Sequence, residues 1–370
     1  MKVKLKKTSP TYRQAASSQS VMRDLLIGVV AMAVLSVILQ YTRYGADYGI
    51  KAAELYLVSI AVALITEIVW DKFHKNDTKA LFSESFPFVT PIILILTLPI
   101  GTPLVVAAIA SLIAVFFGKL VYGGFGQNIF NPALVGRVVV HVSFASVLTG
   151  YLPGAVDALT SATPITAFQS AGWLPQNVSC TLAQLFTGAH QGALCETLPP
   201  LVILAVGLIL GWRRVLDLRI TLSYLGTVGV TAMVAGIVLG VNPVTYALIH
   251  LCLGGVMFGA VFMATDPVTS PTSPLGKIMF GISLGFLTML IRLKASSPEG
   301  CMYAILMMNM LTPWIESLIL GRTSDNAGKH LALIALSVVI ACGIIGGVST
   351  TLVESDATSL IEEVGVYENC

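Results

Sequence analysis

Apolar runs of membrane-spanning length, separated by short polar links, constrain this chain more than any motif in it. A helix needs about 20 predominantly apolar residues to cross a bilayer. Runs of that kind are read at about residues 25–42, 52–70, 86–100, 103–122, 131–149, 199–212, 220–240, 243–264, 276–293, 300–320 and 331–350. The third and sixth are short for a full crossing. Charged residues make up 11% of the 370, against about 25% in soluble globular chains. The expected fold class is an all-α polytopic membrane protein: about ten helices in a core, plus an extra C-terminal transmembrane helix.

Lys and Arg set the orientation. Six of them lie between Lys2 and Arg23. Others cluster at Lys72, Lys75 and Lys79, at Arg213, Arg214 and Arg219, and at Arg322 and Lys329. Residues 151–200 contain none. Alternating the runs from a cytoplasmic N-terminus puts every cluster inside and the interval 151–200 outside. Arg43, Lys51, Arg292 and Lys294 fall on the wrong side and are outnumbered. The expected organisation is a cytoplasmic arm (1–24), a first helix block (25–149), an extracytoplasmic loop (150–198), a second block (199–320), and an extra helix with an acidic tail (321–370).

Several chemistries are absent at the level of motif. The first apolar run begins near Leu25 and continues at spanning length, so no cleavable leader is expected. A net charge of +2 points to no nucleic-acid partner. There is no Cys-x-x-Cys pair, no zinc spacing, no phosphate-binding Gly-Lys loop and no Gly-x-Ser-x-Gly elbow. Cys252, Cys301 and Cys342 read as small core residues. Cys180 and Cys195 share the polar interval and form a disulfide if it faces an oxidising compartment.

Two polar breaks interrupt the apolar blocks: Tyr122–Pro132 and Thr265–Pro271. Irregular backbone at membrane depth survives only where protein or a cavity covers it, and Gly/Pro-interrupted segments often mark a binding site. In the first break, glycines allow close approach and Asn128 and Asn131 can hydrogen-bond a flat heterocycle. In the second, Asp266 serves either a cation path or an ordinary turn before Pro267. Arg137 and His141, one helical turn apart, hold an anionic group or pair with a neighbouring helix. Glu54, Glu67, Lys119 and Glu316 lie near helix ends, where snorkelling is expected. Thr163-Pro164 reads as an N-cap and first helical residue. A helix start welcomes a phosphate, so Thr163 either caps a helix or carries a phosphoester.

Five stretches together resemble one family: Ser85–Pro91, Gly123–Arg137, Asp157–Thr166, Phe262–Pro271 and Ile291–Pro313. The chain resembles the NqrB/RnfD family of membrane subunits from ion-translocating electron-transport complexes. The resemblance implies a ten-helix core in a bacterial or archaeal cytoplasmic membrane. It implies covalent flavin mononucleotide (FMN), esterified to the last threonine of a Ser/Thr-Gly/Ser-Ala-Thr motif, which here is Thr163 in Thr160-Ser161-Ala162-Thr163. It also implies a noncovalent riboflavin, whose contacts carry over to Asn128, Asn131 and Gly126. The implied partners are the FMN-bearing extracytoplasmic G subunit and the A, E, B and C subunits of an Rnf complex, with an FMN transferase for maturation. The implied activity is electron transfer between NADH and ferredoxin coupled to Na⁺ or H⁺ movement. The competing expectation is a small-solute channel or transporter with no redox role.

Overall fold

The computed structural model describes residues 17–74, 85–145, 164–174, 181–295, 299–319 and 327–368. Those residues are almost entirely helical. Helix α1 (Ser18–Tyr44) starts earlier than its apolar run. A Ser17/Ser20 capping box, with Ser20 N–H 3.2 Å from Ser17 Oγ, satisfies its first turn. Gly45, at φ +104°, turns the chain into α2 (Ala46–His74). Short helices follow: α3 (Val89–Leu96), α4 (Leu104–Val115) with a π-helical turn Phe116–Leu120, and α5 (Pro132–Ser143). Beyond them lie α6 (Pro164–Ser170), α7 (Leu182–Thr187) and α8 (Pro200–Trp212). The second block contains α9 (Leu218–Val238), α10 (Pro243–Cys252), α11 (Val256–Phe258) with a π-helical turn Gly259–Met263, α12 (Pro274–Lys294) and α13 (Gly300–Ile319). The last helix, α14, runs from Ala327 to Glu368.

Among the described residues, six helices are long and apolar enough to cross a membrane, and the bent pair α10–α11 makes a seventh. With α3 and the shorter apolar helices 104–120, 132–143 and 200–212, this gives ten segments before α14. Two expected spans are corrected. The run 86–100 holds only the eight residues of α3, about 12 Å of helix, because Pro99, Gly101 and Pro103 end it. The run 243–264 bends by 69° between α10 and α11, where Gly254 and Gly255 take φ near +65°, a conformation that side chains disfavour. The run 131–149 ends as a helix at Ser143.

Where α3 and α10 end inside the bundle, freed backbone carbonyls find partners from elsewhere in the chain, as burial demands. Past α3, the carbonyls of Leu96 and Leu98 accept from Cys195 N–H (2.7 Å) and Leu194 N–H (3.0 Å). At the end of α10, the fully buried Arg292 guanidinium donates to His250 O (2.7 Å) and Leu253 O (2.5 Å). A cation at a helix C-terminus also faces the negative end of the dipole.

Polar bonds define two opposite faces. On one, Arg213 of the α8–α9 link reaches Asp24 at 3.0 Å, and Lys277 at the start of α12 reaches Asp217 at 2.7 Å. On the other, Arg43 at the far end of α1 donates to the carbonyls of Thr187, Gly188 and Thr197, and Gln169 of α6 donates to Ala295 O past α12. The described part of the interval 151–200 thus lies opposite the Arg213–Asp217 link. Helix α14 packs on α9 and α12, and its apolar stretch His330–Leu352 is only 11% buried. It lies on the rim of the bundle rather than in its core.

Candidate functional site

The two polar breaks meet. Each follows a five-residue π-helical turn, and each leads into a helix with proline at its first position, Pro132 or Pro274. Such π turns inside helices often accompany functional sites. The Asn131 side chain joins the two units. Its Oδ1 accepts from Ala133 N–H at 3.1 Å as the N-cap of α5, and its Nδ2 donates to Met263 O at 3.2 Å, at the end of the second π turn. One N–H and one lone pair of this amide remain for a ligand.

Between the breaks lies a pocket lined by residues of both. Phe86, Phe125 and Phe262 wall it, and Asn128, Asn131, Asp266 and Lys119 supply its polar groups. Phe86 and Phe125 meet edge to face at 5.3 Å. Asn128 Nδ2 donates to Phe130 O at 3.0 Å, and its side chain also hydrogen-bonds Asp266. Gly126 does not line the cavity. With φ +85° it shapes the turn that presents Asn128.

Asp266 makes the turn expected of Asp before Pro. Its Oδ1 accepts from Val268 N–H (3.2 Å) and its Oδ2 from Thr269 Oγ1 (3.3 Å). It also lines the cavity, so turn and site coexist in one carboxylate. Burial raises its pKa above the usual aspartate value, and the bonds from Val268, Thr269 and Asn128 oppose that rise.

Lys119 and Glu67 do not snorkel. Lys119 Nζ lies 2.7 Å from Glu67 Oε1 and 2.5 Å from Ser85 O, and both side chains are at most 3% exposed. Ser85 Oγ donates to the other Glu67 oxygen. The first π turn and the chain around Ser85 close over α2 at this point. Neither charge can reach an interface, so they pair. Their separation of 52 positions in sequence hid the pair. Arg292, which counts against the charge scheme as a cation on the outer side, has a wholly buried guanidinium.

Arg137 and His141 point at one partner, Glu299: Arg137 Nη2 is 2.7 Å from Oε2, and His141 Nδ1 is 4.0 Å away. Cys195 is a buried free thiol. It does not form the disulfide considered above, because its loop is drawn inward to cap α3. Thr163, with Asp157–Ala162, and Cys180 lie outside the described residues. Among the described residues a helix spans Pro164–Ser170, and Ile165 packs against Gly254: a Cβ on that glycine would come 2.6 Å from Ile165 Cδ1.

Residues 5–324 match the model of the NQR2, RnfD, RnfE family. The chain belongs to that family. It is 33% identical over 320 residues, covering 84% of this chain and 92% of the relative, to the D subunit of the proton-translocating ferredoxin:NAD(+) oxidoreductase complex of Clostridium ljungdahlii. It is 34% identical over 321 residues, covering 84% and 91%, to the Na(+)-translocating counterpart of Acetobacterium woodii. It is also 29% identical over 353 residues, covering 86% and 96%, to the D subunit of an ion-translocating oxidoreductase complex of Halorhodospira halophila. The NQR2, RnfD, RnfE match includes both polar breaks, both π turns and Thr163, and it ends before α14. The family relationship therefore covers the ten-segment core and leaves the last helix outside.

Proposed function

We propose that this chain is the D subunit of an ion-translocating oxidoreductase complex and carries electrons through the membrane on two flavins. FMN is esterified to Thr163, and riboflavin occupies the cavity between the breaks. The carrying observation is the convergence of both breaks on one aromatic-walled, amide-bearing cavity. The residues fit a planar heterocycle: the phenyl walls stack, and the spare N–H and lone pair of Asn131 suit ring carbonyls and ring nitrogens. When bound, the flavin supplies the redox chemistry, and the protein supplies binding, orientation and electrostatics. Lys119 places a positive charge at the cavity wall, where it favours a ring that gains negative charge on reduction.

The helix that starts at Pro164 lies opposite the Arg213–Asp217 link. That agrees with attachment by an extracytoplasmic transferase and with an N-terminus in the cytoplasm. The relatives' names supply the partners, as the other members of a ferredoxin:NAD⁺ oxidoreductase complex. An FMN-bearing G subunit on the extracytoplasmic side fits a flavin held at Thr163. One of the named relatives moves protons and another Na⁺, so sequence likeness leaves the ion open.

The test is in-gel ultraviolet fluorescence of the denatured protein, made alongside its flavin transferase. A fluorescent band is expected, and Thr163→Val abolishes it while the chain still accumulates in the membrane. Peptide mass spectrometry is expected to find FMN, less water, on the fragment containing Thr163. No covalent flavin in the wild type would leave the broken helices to the solute-transporter reading.

A further inference from the structure

Met263, whose carbonyl holds Asn131, also lines a second pocket. It lies beyond the first, toward the face of α6. Three charged side chains border it: Arg137 of α5, Glu196 of the α7–α8 link and Glu299 of the α12–α13 link. Nothing in the flavin reading uses them. Arg137 is 4% exposed. Its Nη2 donates to both Glu299 oxygens, at 2.9 and 2.7 Å, and its Nη1 has no hydrogen-bond partner among the described residues. An unpaired buried donor on a charged group is costly, so this nitrogen calls for an acceptor inside the cavity.

Glu196 is the acceptor available. Glycines flank its carboxyl: a Cβ on Gly192 would come 2.5 Å from Oε2, and one on Gly255 would come 3.7 Å from Oε1. The carboxyl therefore packs against these two positions, where a larger side chain at Gly192 would displace it. The charges facing it come from three elements: Glu299, Arg137, and Arg292 of α12. Arg292 is committed to the carbonyls of His250 and Leu253, and His141 faces Glu299 rather than Glu196.

We propose that this cavity is a proton-exchange site, in which Glu196 releases its proton to water and Arg137 Nη1 takes the carboxylate that remains. The step is a simple ionisation. The O–H bond breaks, its electron pair stays on the carboxylate oxygen, the proton goes to water, and no electron is transferred. Burial, with the Glu299 charge second, pushes the Glu196 carboxyl up to about 8, against the pull of Arg137 and Arg292. Glu196 is then protonated at neutral pH and ionises just above it. A negative charge arriving on this side of the bundle draws a proton onto it, and its departure releases the proton. The proposal rests on the cavity's own residues and not on the flavin reading.

The test uses the purified complex and infrared difference spectroscopy, in H₂O and D₂O, across neutral and alkaline pH. A protonated-carboxyl band that titrates near pH 8 is expected, and it should vanish in Glu196→Gln. Neighbouring charges should move its midpoint in opposite directions. Arg137→Gln removes a cation and raises the midpoint by about 1–3, while Glu299→Gln removes an anion and lowers it. Arg137→Gln also orphans Glu299 and can unfold the chain, so Glu299→Gln provides an independent reading. A band that survives Glu196→Gln, or a midpoint unmoved by Glu299→Gln, overturns the proposal. A midpoint that shifts with Na⁺ at constant ionic strength overturns the proton assignment in favour of sodium exchange.

Discussion

Replacing Lys119 with methionine tests whether the wall of the first cavity is built on a buried ion pair. Lys119 Nζ and Glu67 Oε1 are 2.7 Å apart, and neither side chain is more than 3% exposed. At an effective dielectric of about 20, two unit charges at that distance attract by about 6 kcal/mol. Desolvation of both consumes much of that, so the pair itself is worth little against a matched apolar pair. Removing one partner is different. Lys119→Met keeps the length of the stem but leaves Glu67 with only Ser85 Oγ as donor. The expected loss is about 3–5 kcal/mol. Glu67→Gln alone is expected to cost as much, because it strips the buried ammonium of its counter-charge and turns an amide NH2 toward one of the two donors that the carboxylate oxygens accept from. The double variant Lys119→Met/Glu67→Gln, with no buried charge left, is expected to recover most of the loss. The coupling energy should therefore be large and favourable, at or above the upper part of the roughly 0.5–3 kcal/mol range of contacting pairs. The assay is reversible detergent unfolding of the purified protein followed by fluorescence. Additive single-variant costs, or a Lys119→Met cost below about 1 kcal/mol, would show that the two groups are solvated and that the closed geometry around Ser85 is wrong.

Asn131→Asp keeps the N-cap oxygen of α5 but removes the N–H that reaches Met263 O, whereas Asn131→Ala removes both. Extractable riboflavin is expected to fall in both variants and covalent flavin to persist, with Ala losing a further ~1 kcal/mol of stability from the lost cap; unchanged riboflavin in both removes Asn131 from the binding site. Asp266→Asn keeps the turn, because its side-chain oxygen can still accept from Val268 N–H. If the carboxylate serves a cation path, ion transport per electron falls while electron flux persists; equal coupling would assign Asp266 to the turn alone.

The membrane class and the approximate segment positions were legible because apolar length is a local property of sequence. So was the importance of Gly123–Pro132 and Thr265–Pro271, since glycine, proline and amides inside apolar blocks contradict an unbroken span. The meeting of the two breaks was not legible. It depends on side-chain bonds between residues far apart in sequence, such as Asn131 and Met263, 132 positions apart. The charged residues divide in the same way. Sequence placed Lys119 and Glu67 near helix ends and could go no further, because burial is decided by which neighbour closes over a side chain. The same holds for Glu196, which reads as one more polar residue in a loop until that loop pairs with the broken end of α3 and is drawn inward. Periodicity and apolar length along the chain determined which stretches become helices. Contacts between distant segments decided where those helices break, which charges pair, and that the Asn131–Met263 bond ties the lining of one pocket to that of the other. A broken helix must find hydrogen-bond partners from another part of the chain, and only the packed structure says which part supplies them.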